Sequence, residues 1–275
     1  VGSLPAPPIV RWALELGPID GFHQAVCVRV PAGAGHDRLA KVLHMVIDRH
    51  PALRASLTDD RSLHVDPPTG ATYDVLTTVD VSGLDTEAAA AVVDERRGAA
   101  AGALRPAEGR LVRAVWLNAG VDTPGTLLLV LHHLAVDGVS LRILLADLSH
   151  AWAVVAGDAP ARWSPLGTSQ RTWANQLAAA AKEPRWSAQL GLWRRILATG
   201  DPAIGTRELQ PKTDTFATAV TTGITLPADI AEPLLTVLPE RYRATQNDVL
   251  LTGLALAVQR WRERWSTPRG DSAVL

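Results

Sequence analysis

The stretch from Thr126 to Trp152 constrains the fold more than any other part of the chain. Thr126 to Leu131 is a short apolar run, the composition of a strand buried on both faces. His132, His133 and a polar turn through Asp137 and Gly138 follow, and then Leu141, Leu144, Leu145, Leu148 and Trp152 recur on one helical stripe. A strand buried on both sides needs helices above and below its sheet, so this segment alone predicts an α/β fold.

The flanking pattern agrees. Phe22, Val26, Val28 and Val30 alternate along one face of an expected strand over Phe22 to Val30, closed by the Pro31 to Gly35 turn. A helix is expected next, capped by Asp37, with Leu39, Val42, Leu43, Val46 and Ile47 on its buried face and Pro51 as its stop. Arg54 to Leu57 and Leu63 to Val65 read as a short hairpin, and Thr72 to Val79 and Leu111 to Leu117 as strands. Thr86 to Ala103 reads as an alanine-rich surface helix. Gly157 to Pro165 is rich in glycine and proline and is expected to connect two lobes, one over 1-160 and one over 161-275. In the second, helices are expected near Ser169 to Lys182, Trp186 to Leu197, Pro227 to Leu238 and Thr245 to Trp265, with a strand near Ala217 to Leu226.

Composition narrows the function classes. The formal net charge is −1, with 27 basic and 28 acidic residues and no single-sign block, so neither a nucleic-acid nor a membrane-surface footprint is expected. Apolar runs such as Leu250 to Val258 fall well short of a bilayer span. The lone cysteine, Cys27, excludes a disulfide framework and fits a reducing, cytoplasmic setting; alternation places it in a strand as an inert packing thiol. Arginine dominates over lysine, which with the alanine richness suggests a GC-rich bacterial source. The chain begins at Val1 and ends on the apolar run Asp271 to Leu275, as expected of a segment of something longer.

The chemistry sits at His132-His133-Leu-Ala-Val-Asp137-Gly138. In open α/β sheets ligands collect at the carboxyl ends of strands, and an imidazole there can take or return a proton near neutral pH. Asp137 could fix an imidazole tautomer or pair with an arginine such as Arg54 or Arg142, and Gly138 is expected to permit a backbone turn that a side chain would block. His44, His50, His64 and His150 show no metal-ligand spacing, and no phosphate-binding or serine-nucleophile motif occurs. No metal or diffusible cofactor is expected.

The motif resembles the His-His-x-x-x-Asp-Gly signature of the condensation-domain superfamily of nonribosomal peptide synthetases, which has the two-lobe chloramphenicol acetyltransferase type of fold. Arg49-His-Pro-Ala-Leu-Arg54 is similar to the family's Arg-His-x-x-Leu-Arg segment, and Arg171-Thr-Trp-Ala174 to its later Trp-Ala or Tyr-Ala segment. Asp137-Gly-Val-Ser-Leu-Arg-Ile-Leu-Leu-Ala-Asp147 and Pro239 to Leu251 resemble the epimerization branch, with Leu141 and Ala146 standing where tryptophan and glutamate are usual.

The resemblance implies a complete N-terminal lobe, a partial C-terminal lobe and cofactor-free inversion at Cα of an aminoacyl or peptidyl thioester. The phosphopantetheine arm of a carrier protein presents that group, and the carrier and neighbouring synthetase domains are the implied partners. It further implies that His133 moves the Cα proton, His132 packs behind it and Asp137 fixes local geometry. The opposite-face acid is expected from a Glu-Gly-His-Gly-Arg segment beyond Leu275, so the 275 residues alone are expected to epimerize little or not at all. Two other readings are a condensation domain, with His133 orienting or deprotonating an attacking amine, and an inactive lobe that only docks a carrier protein or scaffolds its neighbours.

Overall fold

A computed structural model describes residues 1–68, 74–198, 204–205, 207–210 and 212–264. Contacts divide the chain into two units, Val1–Glu183 and Pro184–Leu275.

The first unit is built on a four-stranded mixed sheet in the order β2-β7-β6-β5. In chain order it contains β1 (Gly2–Leu4), α1 (Pro8–Leu16), β2 (His23–Val30), α2 (His36–Arg49), β3 (Ala55–Leu57), β4 (Leu63–Val65) and β5 (Leu76–Asp80). It continues with α3 (Thr86–Gly102), β6 (Val112–Asn118), β7 (Gly125–His132), α4 (Gly138–Ala156) and α5 (Gln170–Ala180). Central β7 is buried along nearly its whole length, as its composition requires. Leu127, Leu129 and Leu131 face α2 and α4 on one side, while Leu128 and Val130 meet α3 on the other. Each fully buried leucine contributes on the order of 2 kcal/mol, so neither helical layer is dispensable.

A strand apolar on both faces cannot by itself select a register, because slipping it by one residue costs no polar burial. The alternation on β2 does so: Val26, Val28 and Val30 must face the α2/α4 core. The resulting antiparallel pairing sets His23 against His132 and Gln24 against Leu131.

The expected hairpin forms as β3 and β4, which with β1 make a second, three-stranded sheet. Under it lies a core of Leu4, Val10, Leu63, Val65, Leu111, Leu134 and Ala174. Arg171 of α5 donates from Nε to the Ser3 carbonyl at 3.1 Å, and Ala174 is buried in that core, so α5 belongs with this unit.

Several expectations change. Asp37 does not cap α2: Gly35 holds the cap position, and Asp37 lies in the first turn, where its charge suits the helix dipole. The strand expected from Thr72 begins at Leu76; residues 72 and 73 lie outside the described set, as do Trp265 and Asp271 to Leu275. Cys27 is exposed, because α3 covers β6 and β7 and leaves the outer face of edge strand β2 open. Its partial burial still pushes the thiol upward, against the lowering pull of Arg97.

The helix α4, 19 residues long, reaches a mean hydropathy of 1.4, so by length and composition it could cross a membrane. It contains no uninterrupted apolar run of that length, because Arg142 and Asp147 fall inside it. In the fold, Leu144, Leu148 and Ala151 of α4 are buried in the core beside α2.

The second unit contains α6 (Pro184–Ser187), α7 (Leu190–Ala198), α8 (Ala228–Leu235), α9 (Val237–Tyr242) and α10 (Gln246–Arg264). Among its described residues none of these helices has a buried side chain. The helix expected over Pro227 to Leu238 breaks at Thr236, and Pro239 sits in the first turn of α9, where no backbone N–H is needed. The strand expected over Ala217 to Leu226 does not form: Val220 and Ile224 are 90% and 87% exposed, and no described strand pairs with it. An unpaired strand has no ladder to satisfy its backbone.

Candidate active site

β7 ends at His132, and the chain turns through His133 to Asp137 into α4. Two apolar residues anchor this turn from opposite cores. Leu134 enters the core under the three-stranded sheet, and Val136 enters the core between α2, α4 and the main sheet. The only sign of these anchors in the sequence is that the two positions within the motif are apolar.

His132 is fully buried. Its Nε2 lies 2.7 Å from the Ile19 carbonyl, and its Nδ1 accepts from the Leu134 N–H at 3.0 Å. Because Nδ1 is an acceptor, the proton of the neutral ring is on Nε2 and is donated to Ile19. Burial pushes the His132 pKa down, against the smaller raising effect of that carbonyl. His132 is therefore held neutral behind the site.

His133, the next residue, points to the opposite face of the sheet by strand alternation and is only partly buried. Its backbone N–H donates to the Phe22 carbonyl at 2.8 Å. Its ring stacks on Phe22 with centroids 4.7 Å apart and planes 9° from parallel. The Gln24 amide nitrogen lies 3.2 Å from its Nε2. Phe22 and Gln24 are two residues apart on one face of the β2 segment, so the pairing register brings both to His133.

Asp137 acts differently from both sequence-based alternatives: among the described residues it neither hydrogen-bonds an imidazole nor pairs with an arginine. Its Oδ1 caps α4, accepting from the Val139 N–H at 3.0 Å, the Ser140 N–H at 2.7 Å and the Ser140 hydroxyl at 2.7 Å. The Ser140 hydroxyl, followed by these N–H groups, holds its carboxyl below the usual carboxylate range. Arg54, one suggested partner, is instead spent on backbone carbonyls, donating to Ile47, Asp48 and Asp66. Gly138 also departs from expectation. Its φ is not positive, and a Cβ there would meet open space, so the turn does not require glycine.

These two findings predict opposite outcomes. Asp137→Ala leaves two helix N–H groups without a cap and is expected to cost about 1 kcal/mol in urea denaturation, whereas Asp137→Asn, also a good cap, costs little. Gly138→Ala is expected to be neutral or slightly stabilising, since alanine favours a helix. A large loss of stability in Gly138→Ala would show that the backbone needs glycine after all.

Arg49 and His50 converge on Asp147 of α4, with Nε and Nε2 at 2.8 and 2.7 Å from the same carboxylate oxygen. Burial pushes His50 downward despite the raising effect of Asp147, helped by the nearby charges of Arg49 and Arg54. Asp147 itself is raised by burial but held below its ordinary range overall by hydrogen bonds from Arg49 and His50. Arg49 also donates to the Ser164 carbonyl at 3.0 Å and lies 4.5 Å over the Trp163 ring. The Arg49 to Arg54 segment thus ties the end of α2 to α4 and to the chain leaving it.

A groove of about 360 Å³ lies between α1 and α5, lined by Pro7, Arg11, Trp12 and Leu177 among others. A depression of about 130 Å³ beside the motif is lined by His50, Leu53, Val136, Ser140 and Leu144. His133 lines neither. Among the described residues, no group of three or more His, Cys, Asp or Glu is placed to hold a metal ion.

Comparison with known proteins matches this architecture. A Condensation domain family model matches residues 18–267. A linear gramicidin synthase polypeptide of Brevibacillus parabrevis is 33% identical over 265 residues, covering 94% of this chain and 3% of that protein. The epimerization domain from the third module of tyrocidine synthetase B superposes with a TM-score of 0.72 at 25% identity, over 94% of this chain and 58% of that one. The first condensation domain of the calcium-dependent antibiotic synthetase superposes with a TM-score of 0.64 at 18% identity, over 94% of this chain and 60% of that one. The chain therefore spans a small part of that synthase and somewhat more than half of either solved chain. With its motif at the end of a buried strand, its mixed sheet between helices and a family match running through both units, this chain belongs to the condensation-domain family.

Proposed function

We propose that the chain is an epimerization domain of a cytoplasmic nonribosomal peptide synthetase. It inverts Cα of an aminoacyl or peptidyl group held as a thioester on the phosphopantetheine arm of a carrier protein. The observation that carries the reading is His133, an imidazole left partly open at the end of β7 while its neighbour His132 is sealed behind it. The 137–147 segment and the likeness to an epimerization domain support this branch over peptide-bond formation.

In the proposed step His133 takes the Cα proton, and the electron pair delocalises into the thioester carbonyl as an enolate. A proton then returns to the opposite face from a second donor, expected from the glutamate of a Glu-Gly-His-Gly-Arg segment that does not occur in these 275 residues. The role of Asp137 is indirect: by capping α4 it fixes the turn that carries His133. No cofactor of its own enters the reaction, because the thioester is already the electron sink.

The test is to incubate the full synthetase polypeptide, loaded with an aminoacyl thioester, in deuterated water. Deuterium uptake at Cα with loss of chirality is expected. A dipeptide without Cα exchange would instead mark a condensation domain, and neither product would mark a lobe that only docks or scaffolds.

A further inference from the structure

We propose that Gln24 is the positioning residue of His133, its amide oxygen accepting from Nε2–H and so fixing the tautomer whose Nδ1 carries the lone pair that takes the proton. This rests on the reading of His133 as the base. A histidine at a strand end can rotate about two side-chain bonds, and stacking on Phe22 restrains only the plane of its ring. Within that plane something must still hold a ring nitrogen in place. Gln24 does so at 3.2 Å, from the one polar side chain on a β2 face otherwise made of Phe22, Val26, Val28 and Val30.

The second observation is the other end of the amide. Gln24 Oε1 is buried and has no hydrogen-bond partner among the described residues. A buried acceptor left unpaired is costly, and native structures keep such groups rarely and for a reason. A half turn of the amide presents that oxygen to Nε2–H, and the lone pair of the neutral ring then lies on Nδ1, the nitrogen left to take the Cα proton. The same Nε2–H bond persists once Nδ1 is protonated, and the imidazole keeps its place through the reaction. The charged and titratable groups that reach this corner are His132, held neutral, Asp137 in its cap, and Asp20 and His23 beside them. None of these is changed by substituting Gln24.

The test uses the full synthetase polypeptide and the Cα exchange assay. Gln24→Leu keeps the shape and removes the hydrogen bond, so kcat is expected to fall about 10- to 100-fold with KM for the loaded carrier unchanged. Gln24→Glu places a carboxylate against Nε2 and favours the protonated ring. The acid limb of its pH–rate profile is expected to move to higher pH, with activity above that of Gln24→Leu at alkaline pH. A merely structural role would not move that limb. If Gln24→Leu folds poorly by circular dichroism, the pH limb of Gln24→Glu decides. An unshifted limb, or a Gln24→Leu enzyme within about threefold of wild type, overturns the proposal. His133→Ala is run alongside: if it remains active, the base assignment itself has failed, and if it is inactive while both Gln24 variants behave normally, only the positioning role has.

Discussion

His133→Ala is expected to lower the rate of Cα exchange by about 10²- to 10⁴-fold, the usual contribution of a placed general base. The loss should fall on kcat. The substitution leaves the turn intact, because the 133 backbone N–H still bonds Phe22 and the anchors Leu134 and Val136 are untouched. Stability should therefore change little, apart from the lost contact between stacked rings. Unchanged exchange in a folded His133→Ala enzyme would remove the base from the proposed mechanism and favour a docking role. Loss of activity together with loss of the folded state would mean that the partly open ring carries more packing than its exposure implies.

His132→Leu is expected to have the larger effect on stability, although the two histidines are adjacent. Leucine fills the space but pairs with neither the Ile19 carbonyl nor the Leu134 N–H, leaving two buried groups unsatisfied at about 1–3 kcal/mol each. A loss of about 2–6 kcal/mol is a large fraction of the roughly 5–15 kcal/mol that usually holds a domain together. The pH dependence gives an independent check. The folded state binds a proton on His132 less readily than the unfolded chain, whose histidine titrates near 6.5. His132 thus contributes its full stabilisation above about pH 6.5 and progressively less as the pH falls toward its folded value. The stability gap between wild type and His132→Leu should therefore narrow as the pH is lowered from about 7.5 to about 5, measured by urea denaturation. His50 is lowered too, but it is present in both proteins and cancels in the difference. A gap that does not change with pH would show that His132 is not held neutral by the fold.

Much of the fold was legible because its signals are local. The apolar run into β7 demanded cover on both faces, and the spacing from Leu39 to Ile47 demanded a buried helix face; α2, α3 and α4 supply these. Where the sequence misled, the missing information was a partner. The stretch from Ala217 to Leu226 alternates like a strand yet no described strand pairs with it, and Cys27 alternates like a packing residue on edge strand β2, where it stays exposed. Asp37 and Asp137 are both acidic residues at the start of a helix, but only Asp137 stands at the cap position.

The same division runs through the site. Residue order was enough to place two imidazoles at the end of a buried strand before a helix, and to say which family carries that pattern. It could not tell the two apart in environment, because adjacent residues on a strand differ only in the face they meet, and those faces are assembled from distant segments. Folding in three dimensions made the distinction: Ile19 seals His132 as a neutral, buried ring, and β2 brings Phe22 and Gln24 to His133. Folding likewise gave Asp137 a helix to hold rather than an arginine. Gln24 lies 109 residues from His133, and only the antiparallel register of β2 on β7 makes them neighbours.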